Sequence, residues 1–196
     1  MTHNRIKPAY RDLLEAILDV EILPADMEKT PDRFANACTE WFAGYTQNAQ
    51  EILSATFESE GLNEYNGMVV VKDIEFYSHC EHHGAPFFGT VDIVIVPDGK
   101  VIGISKPCRL VDMYTRRFQT QERITQQIAD AIMKHLDPVG CMVVVNAKHM
   151  CMCSRGVNKQ QSRTTTSIVR GCLYSQENNQ AHAAAARAEA MWLINR

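Results

Sequence analysis

Two stretches, MVVVKDIEF (residues 68–76) and FFGTVDIVIV (residues 87–96), decide the fold class, because their β-branched and aromatic residues suit an extended chain better than a helix. Pro97-Asp98-Gly99-Lys100 supplies turn chemistry before VIGIS (101–105), so an antiparallel meander is expected from Gly67 onward. Leu110, Val111 and Tyr114 then recur at helical intervals in PCRLVDMYTRRF (107–118). Ile124, Ile128, Ala131 and Ile132 do the same in TQERITQQIADAIMKHL (120–136), with Thr120 as cap and Arg123 where a capping box would carry Glu. CMVVVNAKHMCMCS (141–154) and RTTTSIVRGCLY (163–174) return to strand character, and an alanine-rich helix is expected from Ala181 to Ile194. The class is α+β, with element order ββααββ and a closing helix.

Upstream of Gly67 the character is helical. Leu13, Leu14, Ile17, Leu18 and Val20 give residues 8–20 an apolar stripe, and Thr30 followed by Pro31 reads as the cap and first turn of a helix running through Phe34, Cys38, Trp41 and Phe42. Residues 46–66 are polar and weakly patterned, and read as a connector. The expected division is a helical segment over 1–66 and a mixed strand and helix domain over 67–196, acting as one unit.

The chain's 196 residues are enough to bury a substantial core. A net charge of −3 without a block of Lys or Arg gives no electrostatic reason to expect nucleic acid or a membrane surface as partner. No apolar run is long enough to span a bilayer, and the N-terminus has no signal-type core, so a cytoplasmic protein is expected. Seven cysteines, an odd number in a chain this size, point to a reducing compartment, with free thiols or metal ligands rather than disulfides.

The densest chemistry lies in SHCEHHG (78–84). Cys80 and His83 form a C-x-x-H pair whose spacing lets a tight turn aim thiolate and imidazole at one ion. In HMCMC (149–153), strand alternation would put His149, Cys151 and Cys153 on one face, so that Cys151 completes a three-ligand site. A Cys2His zinc set leaves one tetrahedral position for water, which can ionise near neutral pH. His82, Glu81, His79 and His149 would then be available to handle protons or orient ligands. The bland alternative is that each buried cysteine is a small hydrophobe. It is favoured for Cys153, since a fourth thiolate would close the site.

Ser105-Lys106-Pro107-Cys108-Arg109 follows a strand and opens a helix, where backbone N–H groups, Lys106 and Arg109 can converge on an anion such as phosphate; an ordinary helix start accounts for it equally well. Gln121 and Glu122 at the next helix start fit dipole preference, or a carboxylate accepting two N–H groups from a guanine edge. Arg116 and Arg117 read as an exposed charge pair.

Taken together, TPDR (30–33), CEHH (80–83), PFFG (86–89), GISK (103–106) with Arg109, QTQER (119–123), HMCM (149–152) with RGV (155–157), and TTTS (164–167) resemble one family, GTP cyclohydrolase I. The resemblance spans roughly residues 30–173 in the family's order. It implies the tunnelling fold, in which ββααββ sheets join into a barrel in the oligomer, typically a homodecamer of two stacked pentamers with active sites at subunit interfaces. It also implies zinc (Zn2+) as cofactor and GTP as substrate, converted to 7,8-dihydroneopterin triphosphate and formate at the start of pterin and tetrahydrofolate synthesis. By the same resemblance Cys80, His83 and Cys151 match zinc ligands, and His82 and His149 match catalytic histidines. Ser105, Lys106, Arg109 and Arg155 match positions that hold the triphosphate or assist the later rearrangement, Gln121 and Glu122 match the guanine-recognition pair, and Arg33 matches a further phosphate-side arginine. Asn36 stands where many members of the family have Lys.

Overall fold

The computed structural model describes residues 3–54, 56–57, 65, 67–99, 101–174 and 180–196. Much of the expected 46–66 connector, together with Lys100 of the expected turn, lies outside the described residues.

Helix α1 (His3–Leu18) packs on α2 (Thr30–Trp41). Tyr10 stacks on Phe34 with ring centroids 3.6 Å apart, and Lys7 pairs with Asp32 at 2.7 Å. The stripe expected on the first helix only partly meets this core: Leu14 is buried, while Leu13, Ile17 and Leu18 are exposed on the single chain. Thr30 is not the cap; Lys29 holds that position without a side-chain bond, and Thr30 begins the helix. The connector contains a helix that its polar composition hides. In α3 (Ala49–Leu53), Asn48 caps the first turn by accepting the Gln50 N–H at 2.8 Å, and Ala49 and Leu53 enter the core.

The remaining elements are β1 (Thr56–Phe57), β2 (Val69–Cys80), β3 (Pro86–Val96), β4 (Val101–Ile102), α4 (Ser105–Thr115), β5 (Phe118–Gln119), α5 (Gln121–Leu136), β6 (Gly140–His149), α6 (Met150–Cys153), β7 (Thr164–Gly171) and α7 (Gln180–Asn195). The longer elements after α3 run β2, β3, α4, α5, β6, β7 and α7, with short strands and a helical turn between them. The meander does not continue through VIGIS, because β4 leaves the main sheet and pairs antiparallel with β1. The main sheet runs β5-β2-β3-β6-β7, antiparallel except where β5 joins the end of β2 in parallel, Phe118 opposite His79 and Gln119 opposite Cys80.

One face of this sheet carries Ile74, Phe76, Val91, Ile93, Val143 and Val145 against Leu110 and Val111 of α4 and Ile124, Ile128 and Ile132 of α5. Each such side chain contributes about 1.5–3 kcal/mol on burial, so this face anchors α4 and α5 to the strands. On the other face Val94, Met142 and Val144 meet Leu173 and Ala190 of α7. Gly89 sits where β3 runs between β2 and β6: a Cβ there would collide with the Asn146 carbonyl of β6, so only glycine allows the strands this close. A bulge in β2 between Val71 and Ile74 puts Asp73 at φ 56°, and its N–H donates to the Asp92 carboxylate at 2.8 Å.

Arg117 is not a free surface charge. It donates to the Gly44 carbonyl at 2.7 Å and the Met113 carbonyl at 2.8 Å, and lies over the Tyr45 and Tyr114 rings, tying α4 to the turn that follows α2. Arg116 pairs with Asp112 instead.

Candidate metal and catalytic centre

Cys80 ends β2, and the chain then turns sharply before β3. The Gly84 N–H donates to the Cys80 carbonyl at 2.8 Å, the His83 N–H to the same carbonyl at 3.3 Å, and the Cys80 N–H to Ala85 at 2.8 Å. Gly84 takes φ 68°, which glycine adopts without steric cost. This turn brings His83 Nδ1 to 3.5 Å from Cys80 Sγ.

Cys151 arrives by a different route from the expected one. The strand β6 stops at His149, and residues 150–153 form a helical turn rather than an alternating strand. That turn still swings Cys151 to the cluster while burying Cys153, whose thiol donates to the Lys159 and Gln160 carbonyls at 3.5 and 3.9 Å. The ligand atoms of Cys80, His83 and Cys151 all lie within 4.8 Å of one another. Zinc with bonds of about 2.3 Å to sulfur and about 2.0–2.1 Å to nitrogen places tetrahedral S and N ligands roughly 3.6 Å apart. The donor chemistry and the 3.5 Å Cys80–His83 spacing both fit such an ion. Burial, followed by proximity to Cys80, pushes the Cys151 thiol above its ordinary value, while Arg155 draws it down. A bound cation would reverse the balance in favour of thiolate.

Three histidines surround this group in distinct settings. His82 is exposed, with Nδ1 at 3.8 Å from Cys80 Sγ and Nε2 at 3.9 Å from Glu81. Glu81 is gripped by Arg123 of α5, which donates from both terminal nitrogens to the two carboxylate oxygens. That bonding holds the Glu81 carboxyl below its ordinary value. His149 is half-buried at the end of β6; its ring stacks on Phe87 with centroids 4.6 Å apart and planes at 5°, and it bonds to Gln121 at 2.8 Å. Burial lowers its pKa, opposed in part by the Glu122 charge, so neutral imidazole is favoured at pH 7. His79 lies among Trp41, Phe42 and Phe118 with its Nδ1 unbonded, and burial lowers its pKa too.

The chain thus brings Cys80, His83, Cys151 and His82 together, and pairs His149, two residues before Cys151, with Gln121; Arg155 and Glu122 act electrostatically on Cys151 and His149 respectively. Ser105, Lys106 and Arg109 open α4, and Arg33 sits in the first turn of α2; among the described residues none shares a hydrogen bond or ion pair with the Cys80–His83–Cys151 group. Gln121 is 1 % exposed and its amide is engaged inside the protein, whereas Glu122 beside it is exposed. Sequence reading missed the Glu81–Arg123 pair, although both residues stood in the quoted motifs.

A set of two thiols and one imidazole that could hold a metal ion, with histidines in separate settings on an α+β scaffold, fits a class: hydrolytic enzymes. A family model described as GTP cyclohydrolase I matches residues 6–188. A GTP cyclohydrolase 1 from Wolinella succinogenes is 54% identical over 142 residues, 72% of this chain and 74% of the relative. Relatives of the same name are 45% identical over 192 residues in Thermobifida fusca (97% of this chain, 87% of the relative) and 46% over 191 residues in Desulforamulus reducens (97% and 96%). The chain belongs to the GTP cyclohydrolase I family, and is an enzyme of that kind. Among the described residues no helix is long and apolar enough to cross a membrane.

Proposed function

We propose that the chain hydrolyses GTP to 7,8-dihydroneopterin triphosphate and formate, entering pterin and folate synthesis, with zinc held by Cys80, His83 and Cys151. The observation that carries this reading is the convergence of those three donors beside a half-buried His149. Zinc in this donor set supplies Lewis-acid activation of water. The remaining steps rest on the chain's own groups. Glu122, exposed at the start of α5, accepts two N–H groups of the guanine edge and fixes the base. His149 delivers a proton near N7 of the purine, which makes C8 electrophilic, and His82 relays protons to and from the cleaving bonds. Water adds at C8 and the imidazole ring opens to a formamide. A second hydrolysis releases formate, and rearrangement of the ribose with loss of water closes the pterin ring.

Lys106, Arg109, Arg155 and Arg33 neutralise the triphosphate, and Ser105 with Lys106 assists the sugar rearrangement. Arg155 already acts on Cys151 within one chain, while among the described residues Lys106, Arg109 and Arg33 share no hydrogen bond or ion pair with the metal-type cluster; an assembly whose active sites are completed by neighbouring subunits, a decamer of two pentamers joined through their sheets, would let cations of one subunit serve the cluster of the next. Residues 1–66 and 67–196 work as one unit in it. The test is formate release from GTP by the purified protein, with and without chelator and after zinc is restored. Activity lost to chelator and regained with zinc is expected; a protein carrying stoichiometric zinc that releases no formate would overturn the reading.

A further inference from the structure

The amide of Gln121 is the most completely committed polar group near the candidate centre. Its Nε2 faces three acceptors: the Val145 carbonyl at 3.0 Å, the Thr164 carbonyl at 2.9 Å and Thr166 Oγ1 at 3.2 Å. Thr125 donates to the Gln121 main-chain carbonyl at 2.8 Å, and its oxygen lies 2.6 Å from Thr166 Oγ1. With Thr125's proton used this way, the Thr166 hydroxyl must donate to Thr125, which leaves Thr166 an acceptor toward Gln121. The amide therefore cannot be reversed. If it were, Oε1 would face two backbone carbonyls that hold no proton, inside a site where Gln121 is 1 % exposed. On its other side Oε1 stands 2.8 Å from His149 Nε2, and an amide oxygen can only accept.

We infer that Gln121 is a positioning residue that locks His149 in the Nε2–H tautomer, so that Nδ1 is the ring's lone-pair nitrogen. The inference deepens the proposed hydrolysis and rests on His149 acting in it. It also assigns a purpose to the TTTS stretch: Thr164 and Thr166 of β7 hold the amide from behind. The Phe87 ring, stacked flat on the imidazole, fixes the plane in which this bond is made. Gln121 then serves guanine recognition only through its neighbour Glu122, and its side chain serves the histidine.

The test is solid-state 15N NMR of the zinc-loaded protein with ring-labelled histidine, the His149 signals being assigned by their loss in His149→Ala. A protonated Nε2 and an unprotonated Nδ1 are expected; a protonated Nδ1 in the wild-type protein would overturn the inference without recourse to any further variant. Gln121→Leu, close in volume, is expected to give mixed tautomers at His149 and to lower kcat about 10²-fold, with GTP affinity and zinc stoichiometry unchanged. Weakened GTP affinity with kcat intact would return the Gln121 side chain to base recognition and refute the inference. The NMR result does not depend on turnover, so a wild-type protein that released no formate would sink the proposed function while leaving the tautomer separately decided.

Discussion

Gly89→Ala tests whether the close approach of β3 and β6 is as tight as the backbone implies. The added Cβ would meet the Asn146 carbonyl, a rigid backbone atom in a buried ladder, so the two strands must separate. Separation weakens the ladder on both sides of Gly89. Two buried backbone hydrogen bonds left poorly made cost about 1–3 kcal/mol each, which puts the penalty at roughly 2–6 kcal/mol. At about 2–4 °C per kcal/mol for a chain of this size, Tm should fall by roughly 4–24 °C in a calorimetric or circular-dichroism melt. The proper control is Gly99→Ala, where φ is +64° but the Cβ meets nothing within 4 Å; only the left-handed strain of about 1–2 kcal/mol applies. The site should report the same event, because Phe87 pairs with His149 only two residues along the register. Moving the strands slides the two rings apart, and formate release at 25 °C should fall at least about tenfold. A Gly89→Ala protein that melts within 2 °C of wild type, or no lower than Gly99→Ala, would show that the sheet has slack here and that the reasoning from close approach is wrong.

Three further outcomes are expected. His149→Ala should retain zinc and GTP binding while formate release drops about 10²–10⁴-fold, the usual worth of a positioned proton carrier; near-normal release would remove His149 from the chemistry. Arg123→Met should leave Tm within a few degrees but weaken zinc about tenfold or more in chelator competition, as outer partners of metal sites do; an unchanged zinc affinity would mean the Glu81 pair is only a surface contact. Burial raises the Asp92 carboxyl above its ordinary 3.8, with the Asp73 N–H pulling the other way. In the window above 3.8 the folded chain therefore binds more protons than the unfolded one, and stability falls as pH rises through it. Asp92→Asn keeps an oxygen for the Asp73 N–H and removes the charge, so it should raise Tm at pH 7 by a margin that narrows toward pH 4; a margin independent of pH would contradict this.

What the sequence makes legible is whatever depends on local repetition or on a short turn. The β-branched and aromatic runs of β2, β3 and β6 and the 3.6-residue stripes of α4 and α5 report their own burial, and Thr120 caps α5 as its position suggests, accepting the Arg123 N–H at 3.3 Å. Cys80 and His83 meet because only two residues separate them. Long-range partnerships were not readable in the same way. Cys151 reaches the cluster although the alternation argument for it fails, since β6 ends two residues earlier. The helix α3 was hidden by polar residues that face solvent, with Asn48 before Ala-Gln-Glu as the one signal. Gln121 looked like any polar residue opening a helix; its burial follows from β7 closing over it, forty-odd positions along the chain.

The turn from His79 to Gly84 bears on what binding an ion there would cost. The His79, Cys80, Glu81, His83 and Gly84 amides are each bonded to a backbone carbonyl, two of them to Arg117 and Gln119 beside β5. The geometry of two donors is thereby finished by hydrogen bonds alone. Small zinc modules fold only when metal gathers their ligands; here backbone hydrogen bonds already fix the turn that carries two of the three candidate donors. Under the proposed zinc reading, Cys80 and His83 would meet an ion already aimed, with little backbone ordering left to do on binding.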